Sequence, residues 1–373
     1  MARSVQLLLR IGGVVTAPAP QALMDALQSV QVTSSAGSRS GFQLTFAVSK
    51  RSVITNALLP AGLLDPPTRV IVAVVVAGAT EVLMDGVITR HELSPSDTPG
   101  ASTLTVTGED LTLLMDLRTE HACYPAMPHH VRATLVLLKY ALYGVVPAAV
   151  PTVVPTVPNP LDRIPIQSST DLEYLRSLGE EVGYTCYLVP GPAPGTSIGY
   201  WGPEVRIGEP QPALTVNSGA ADNVESLSFS FDGLARTQYT VRITEPNTKL
   251  GISVPVPALS LLKPPLAARP AVALREEPIV KLTDRSITDA MLRAVSVTSK
   301  AADAVTGQGR LDVLRYGRVL TARGLVGVRG AGPAYDGLYY VKSVTHDVRR
   351  GAYTQSFALA RDGFGAIGDR VAP

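Results

Sequence analysis

Hydrophobic and polar residues alternate strictly in several stretches of the first third of the chain. Phe42, Leu44, Phe46 and Val48 are separated by Gln43, Thr45 and Ala47. A period of two marks a strand with one buried face. Ser4–Ile11, Val30–Thr33 and Thr103–Thr107 read as strands too. Val70–Ala79 is Val-rich and continuously apolar, which predicts a buried strand. It is followed by another, Glu81–Thr89, with Gly78-Ala79-Thr80 between them. Only Pro20–Leu27 reads as a short helix, with Ala22, Leu23, Ala26 and Leu27 on one face. Short strands at this spacing predict a barrel or a sandwich.

The middle of the chain changes period. Asp110–Leu117 and Val131–Tyr143 have helical spacing, the second stopping at Gly144. Six prolines then fall between Pro147 and Pro165, which predicts an extended surface crossing. Thr170 and Glu173 have the spacing of a capping box. Leu172, Leu175, Leu178 and Val182 form the apolar stripe behind it, and Gly183 ends the helix. A strand, Tyr184–Val189, and a Pro-Gly turn, Pro190–Gly195, complete a small α/β unit.

The last part returns to period two. Leu227, Phe229 and Phe231 alternate with Ser226, Ser228 and Ser230, and Gln238–Thr244 alternates likewise. Asp232-Gly233 suits the turn between them. A second Pro-rich crossing runs over 255–278, and a helix is expected over Ser286–Ala304, with Ser286 and Asp289 at its start. Strands are expected at Arg318–Ala322, Tyr339–His346 and Tyr353–Ala360, with Gly351 in a hairpin connection. The class is mainly β with an α/β insertion. The expected domains are 1–115 (β), 116–220 (inserted α/β) and 221–365 (β), with a tail over 366–373. The two β regions read as diverged copies of one domain, although no residue-level repeat stands out.

Composition narrows the function. Of 373 residues, 46% are apolar, enough for a core, so an intrinsically disordered chain is excluded. The net charge is only +2, which argues against a strongly electrostatic nucleic-acid binder. Cys123 and Cys186 cannot build a disulfide framework, and whether they pair is not readable from spacing. Arg10 interrupts the leucine run at the N-terminus, against a signal peptide. The longest apolar run is far short of the ~20 residues of a membrane helix. A soluble protein made in the cytoplasm, with no membrane insertion, is expected.

The candidate chemistry is thin. Gly195-Thr196-Ser197-Ile198-Gly199 fits the G-x-S-x-G pattern of hydrolases, which needs a strand before the serine and a helix after it. Here Tyr200-Trp201-Gly202-Pro203 follows, so an exposed turn is the expected reading. His121, Cys123, His129 and His130 include zinc-type ligands but lack a second ligand pair. Gly327–Gly332 lacks the spacing of a phosphate loop and reads as a hairpin connection. Glu180 and Glu181, with Asp171 and Glu173, read as a solvated helix face. His91 and His346 sit in alternating strands, where structural hydrogen bonding is expected. No catalytic, cofactor-binding or metal-binding residue is assigned.

Three stretches carry a family resemblance. The first is Leu83-Met84-Asp85-Gly86-Val87-Ile88-Thr89 with Val106-Thr107-Gly108-Glu109-Asp110-Leu111. The second is Ser168–Tyr187, with Asp171-Leu172-Glu173-Tyr174-Leu175 and Glu181-Val182-Gly183-Tyr184. The third is Arg310–Gly363, including Tyr335-Asp336-Gly337-Leu338-Tyr339 and Val344-Thr345-His346. In order and spacing the chain resembles the phage late-control D family, the baseplate hub proteins of contractile tails and related injection systems. Tyr174 departs from the Phe common there.

The resemblance implies two tail-tube-like β-barrel domains with an inserted α/β domain. It implies a homotrimer whose six β domains let a three-fold spike meet a six-fold inner tube. Implied partners are the inner tube or a tube initiator, other baseplate proteins, and a spike. The spike is expected on a separate chain, since little sequence follows Gly365. DNA or effector cargo is expected to pass through the lumen of a virion tail or injection particle. The resemblance implies no enzyme and no cofactor. The alternatives are a peptidoglycan or ester hydrolase using Ser197, or a plain tail-tube protein. Two β regions count against the last, because a tube protomer needs one.

Overall fold

The computed structural model describes residues 5–98, 101–152, 157–161, 164–244, 251–255, 263–278 and 303–367. The first region holds β1 (Val5–Gly12), β2 (Thr16–Pro18), α1 (Gln21–Ala26), β3 (Leu27–Ser35), β4 (Gly41–Ala47), β5 (Arg69–Val76), β6 (Ala79–Ser94) and β7 (Thr103–Asp110). The middle holds β8 (Thr119–Cys123), α2 (His129–Leu138), β9 (Val145–Ala149), β10 (Ile166–Thr170), α3 (Asp171–Val182), β11 (Thr185–Pro190) and β12 (Ser197–Gly202). The last region begins with β13 (Gln211–Thr215), β14 (Ser226–Phe231), β15 (Thr237–Thr244), β16 (Gly251–Pro255), β17 (Ala267–Pro270) and β18 (Arg275–Pro278). It continues with β19 (Val305–Asp312), α4 (Val313–Tyr316), β20 (Leu325–Arg329), β21 (Gly337–Arg349), β22 (Ala352–Arg361) and β23 (Gly363–Ala366).

The fold is mainly β with an α/β insertion, as the periodicity predicts. The expected closed barrels are corrected: the two β regions form one open 13-stranded sheet. The reason lies in the pairing of β21 with β3, Ser343–Arg349 against Ser29–Ser35. That pair occupies the edge of β3, so the first region cannot close on it. One continuous apolar core runs under both regions, from Leu9 and Phe46 to Tyr353 and Leu359.

The pairing reveals an internal repeat. In the first region the strands lie in the order β3-β4-β7-β6-β5-β1; in the last they lie β14-β19-β22-β21-β20-β13. In chain order each copy runs through three of these strands (β1, β3, β4; β13, β14, β19), a helical turn (Ile54–Leu58; α4), then the other three (β5, β6, β7; β20, β21, β22). The copies differ in that β1 is antiparallel to β5 while β13 is parallel to β20. The second copy also carries β15–β18 between its second and third strands. β13 lies before residue 221, where the last domain was expected to begin, yet it pairs with β20.

Register exposes a trace of shared sequence. Ile88-Thr89-Arg90-His91-Glu92-Leu93 on β6 corresponds to Val344-Thr345-His346-Asp347-Val348 on β21, with one extra residue at the β6 bulge. A glycine–phenylalanine device recurs, with its members exchanged between strands. Phe42 on β4 stands opposite Gly108 on β7, and Gly309 on β19 opposite Phe357 on β22. A Cβ on Gly108 would meet the Phe42 ring at 2.3 Å, and one on Gly309 the Phe357 ring at 2.5 Å.

The middle region packs α2 and α3 on a three-stranded sheet, β11-β12-β9, around Leu137, Leu175, Leu178 and Trp201. α3 starts at the predicted capping box and ends at Gly183, whose φ of 77° suits glycine. The single helix expected over Val131–Tyr143 is interrupted: α2 stops at Leu138 and a separate turn, Ala141–Tyr143, leads into Gly144. Pro147 sits in β9, on the outside of its sheet, as a residue without an N–H must. Pro255 and Pro278 lie in β16 and β18, the outer strands flanking β15. The strand expected at Arg318–Ala322 is a loop, and β20 follows it instead. Gln355 holds that loop by accepting from Leu320 N at 3.0 Å and donating to Leu320 O at 2.8 Å. Gly327–Arg329 belong to β20, and only Gly330–Gly332 lie in the connection. Residues 286–302 of the expected helix lie outside the described residues.

Candidate functional site

The most distinctive surface is one face of the long sheet. A row of paired residues runs across it: Ser226, Arg310, Ser356, Thr345, Thr33, Gly41 and Glu109. A second row runs Asp312, Thr354, Asp347, Gln31, Gln43, Thr107 and Arg90. These positions are all exposed or half-buried. The row between them, Gln355, His346, Val32, Phe42 and Gly108, is buried and points the other way into the core. Side chains alternate across a pleated sheet, so this polar face follows from the period-two pattern.

Charges on this face are locally balanced. Arg310 pairs with Glu225 at 3.1 Å, Arg349 with Asp347 at 3.0 Å and Arg90 with Glu92 at 2.5 Å. Arg39 reaches Glu109 at 3.0 Å and also Asp116. What remains between them is Ser, Thr and Gln, with Gly41 and with Asp312, which accepts from Arg315 N at 2.9 Å. Such a wall offers hydrogen bonds and little net field.

A buried ion pair fixes the middle region to the sheet. Arg69 on β5 donates to both carboxylate oxygens of Asp85 on β6, at 2.7 and 2.6 Å. The same guanidinium donates to Val14 O at 2.8 Å, Tyr143 O at 2.7 Å and Gly195 O at 3.2 Å. Both side chains are almost fully buried, 4% and 0% exposed. Burial pushes the Asp85 carboxyl above its ordinary range, and Arg69 opposes that. Arg361 is a second buried cation; it donates to Gly363 O, Asp336 O and Ala334 O over the face of Tyr339.

Ser197 is corrected from an exposed turn to a buried position opening β12, 2% exposed. The Pro190–Gly195 turn folds β11 and β12 into a hairpin, which carries the serine inward. Its Oγ donates to Asp85 Oδ2 at 3.5 Å, and a strand, not a helix, follows it. His346 lies in the core of the long sheet. Its Nδ1 is 2.8 Å from Tyr353 Oη and 3.2 Å from Gln355 Nε2, so both neighbours donate to a neutral ring. Burial lowers its pKa to about 3. The structure does not join Ser197 and His346.

The four His and Cys candidates do not converge. His121 and Cys123 are exposed on β8, while His129 Nε2 meets Glu181 at 2.9 Å. No group of three or more His, Cys, Asp or Glu side chains is placed to hold a metal ion among the described residues. Cys123 and Cys186 are both free thiols, and burial pushes that of Cys186 up to about 12. Asp171 is corrected from a solvated helix face to a buried acceptor for Lys139, Tyr140 and Gln167 at 2.7–2.9 Å. Sequence reasoning missed Arg69 and Asp85 as a pair; only the hairpin register brings them together.

The backbone as a whole has solved counterparts. It matches the tail protein from Neisseria meningitidis MC58 over 97% of this chain and 98% of that one, at TM-score 0.62 and 14% identity. The fold is that of phage tail proteins. The 43 kDa tail protein of prophage MuSo2 from Shewanella oneidensis matches at TM-score 0.63 and 15% identity, over 97% and 100% of the two chains. An Escherichia coli component of the type VI secretion system, itself described as structurally similar to T4 tail proteins, matches at TM-score 0.52 and 12% identity, over 93% and 76%. No family model matches the chain, and neither does any curated protein. No helix among the described residues is long and apolar enough to cross a membrane.

Proposed function

We propose that this chain is a non-enzymatic hub of a contractile tail or injection-system baseplate. In that role three copies surround an axial lumen and join the inner tube to the spike. The observation that carries the reading is the repeat: two β regions of one strand order, sharing one sheet whose polar face is continuous across both. Two such regions per chain give six around a three-fold axis, which reconciles a three-fold spike with a six-fold tube. The balanced Ser, Thr and Gln face is suited to line the lumen, because a passage for DNA or effector protein must not hold a polyanion tightly. Tail proteins and a secretion-system component with this fold support the same reading.

The test is assembly with and without this chain. Particles produced without it are expected to lack a joined tube and spike in electron micrographs, and the intact chain is expected to restore them. Complete particles in its absence would overturn the proposal. So would turnover of peptidoglycan or ester substrates by the purified chain that is lost in Ser197→Ala.

A further inference from the structure

Strand β21 has two different neighbours on one edge. β20 covers Gly337–Tyr340, and β3 covers Ser343–Arg349. Its counterpart β6 has only the first kind. β5 covers Ala79–Val87. Ile88 N still donates to Thr68 O at 2.8 Å. From Thr89 to Ser94 that edge has no ladder partner among the described residues, and all six residues are exposed. β14, the counterpart of β3, pairs with β19 on one side and with no strand on the other among the described residues. Among the described residues there is therefore one filled junction between a β6-type edge and a β3-type strand, and both halves of a second one left open.

We propose that the second junction is filled between copies: β14 of one chain pairs antiparallel with the Thr89–Ser94 edge of β6 in the next. The occupant is a second copy because the contact continues, with equivalent strands, the junction already made inside the chain. An unpaired edge is a template for strand addition, and a matching free edge on the same molecule supplies the strand. The two surfaces are different, so the contact is head-to-tail and builds a ring rather than a two-fold pair. This deepens the hub reading and rests on it.

The repeat also sets the register. His91 stands opposite Val106 as His346 stands opposite Gln355, so Arg90 occupies the place of Thr345. Thr345 faces Thr33, their hydroxyls 3.1 Å apart. Thr33 pairs with Gly41 on β4, and its counterpart Ser228 pairs with Gln308 on β19. Arg90 of one copy is thus opposite Ser228 of the next, on the polar face.

The experiment is cysteine cross-linking of the assembled protein in a Cys123→Ser background. A chain carrying both Arg90→Cys and Ser228→Cys is expected to form a closed disulfide-linked oligomer under mild oxidation. Chains carrying one substitution each are expected to link only when mixed, giving a dimer. Ser226→Cys and Ser230→Cys, on the same face, serve as register neighbours. If a trimer by mass links through none of the three serine positions, the strand pairing is wrong while the hub reading stands. Linking of Ser228→Cys with itself would also overturn it, by showing a two-fold contact. A chain that stays monomeric with tube and spike present would remove both the pairing and the hub.

Discussion

The two β regions have the same strand order and carry different loads. In the second, the distal half of β21 is enclosed, by β22 on one side and β3 on the other. His346 there is buried against Tyr353 and Gln355. In the first, β7 is the one strand beside the distal half of β6 among the described residues, and His91 at the equivalent position is exposed, 3.3 Å from Asp65. The same local sequence became core in one copy and surface in the other. Burial of a strand edge is set by what pairs with it, not by the strand's own residues. The two copies therefore make one joint inside the chain and leave the matching joint unpaired among the described residues.

Disrupting the attachment of the middle region should have the largest effect. Arg69→Met leaves the Asp85 carboxylate buried without its cation, and a loss of about 3–5 kcal/mol is expected in denaturant unfolding. The glycine–phenylalanine pairs test whether the copies are built alike. Gly108→Ala and Gly309→Ala should each cost about 1–3 kcal/mol, because the new methyl meets a ring and a backbone oxygen in both sites. A loss in one copy alone would show that the shared device is superficial.

The core histidine should show in the pH dependence of stability. His346 is neutral in the fold and titrates from 6.5 in the unfolded chain to about 3 in the folded one. The unfolded state then binds more protons between those values, so its contribution to stability is complete above pH 6.5 and is lost as pH falls toward 3. His346→Gln should flatten that part of the stability–pH curve. Ser197→Ala removes one long hydrogen bond to Asp85 and should cost about 1 kcal/mol in thermal unfolding, with particle assembly intact.

Local signals were legible from sequence because they act over a few residues. The capping box of Thr170 and Glu173, the stop at Gly183 and the Gly351 hairpin are all as their spacing predicts. Long-range effects were not legible. Ser197 reads as a turn residue until the β11–β12 hairpin buries it on Asp85, which lies 112 residues earlier. Arg318–Ala322 has the residue types of a strand, but Gln355 ties Leu320 by both its backbone groups, in place of a ladder. Asp171 has the helix position of a surface acid, and three donors from other elements enclose it. The two β regions read as copies of one domain from their shared period alone; strand order, not residue identity, carries the repeat, so only the pairing displays it. The candidate surface was half visible: the Ser226-Ser228-Ser230 alternation is plain in sequence, but its continuation through Thr345, Thr33 and Gln43 needs the register.

The most direct test of the hub account is an electron-microscopy reconstruction of the assembled particle at the level of this chain. The account predicts three copies forming six quasi-equivalent β lobes, with Ser228, Thr345, Thr33 and Thr107 facing an axial channel. A ring with another number of copies, or one whose polar sheet face points away from the axis, would contradict it.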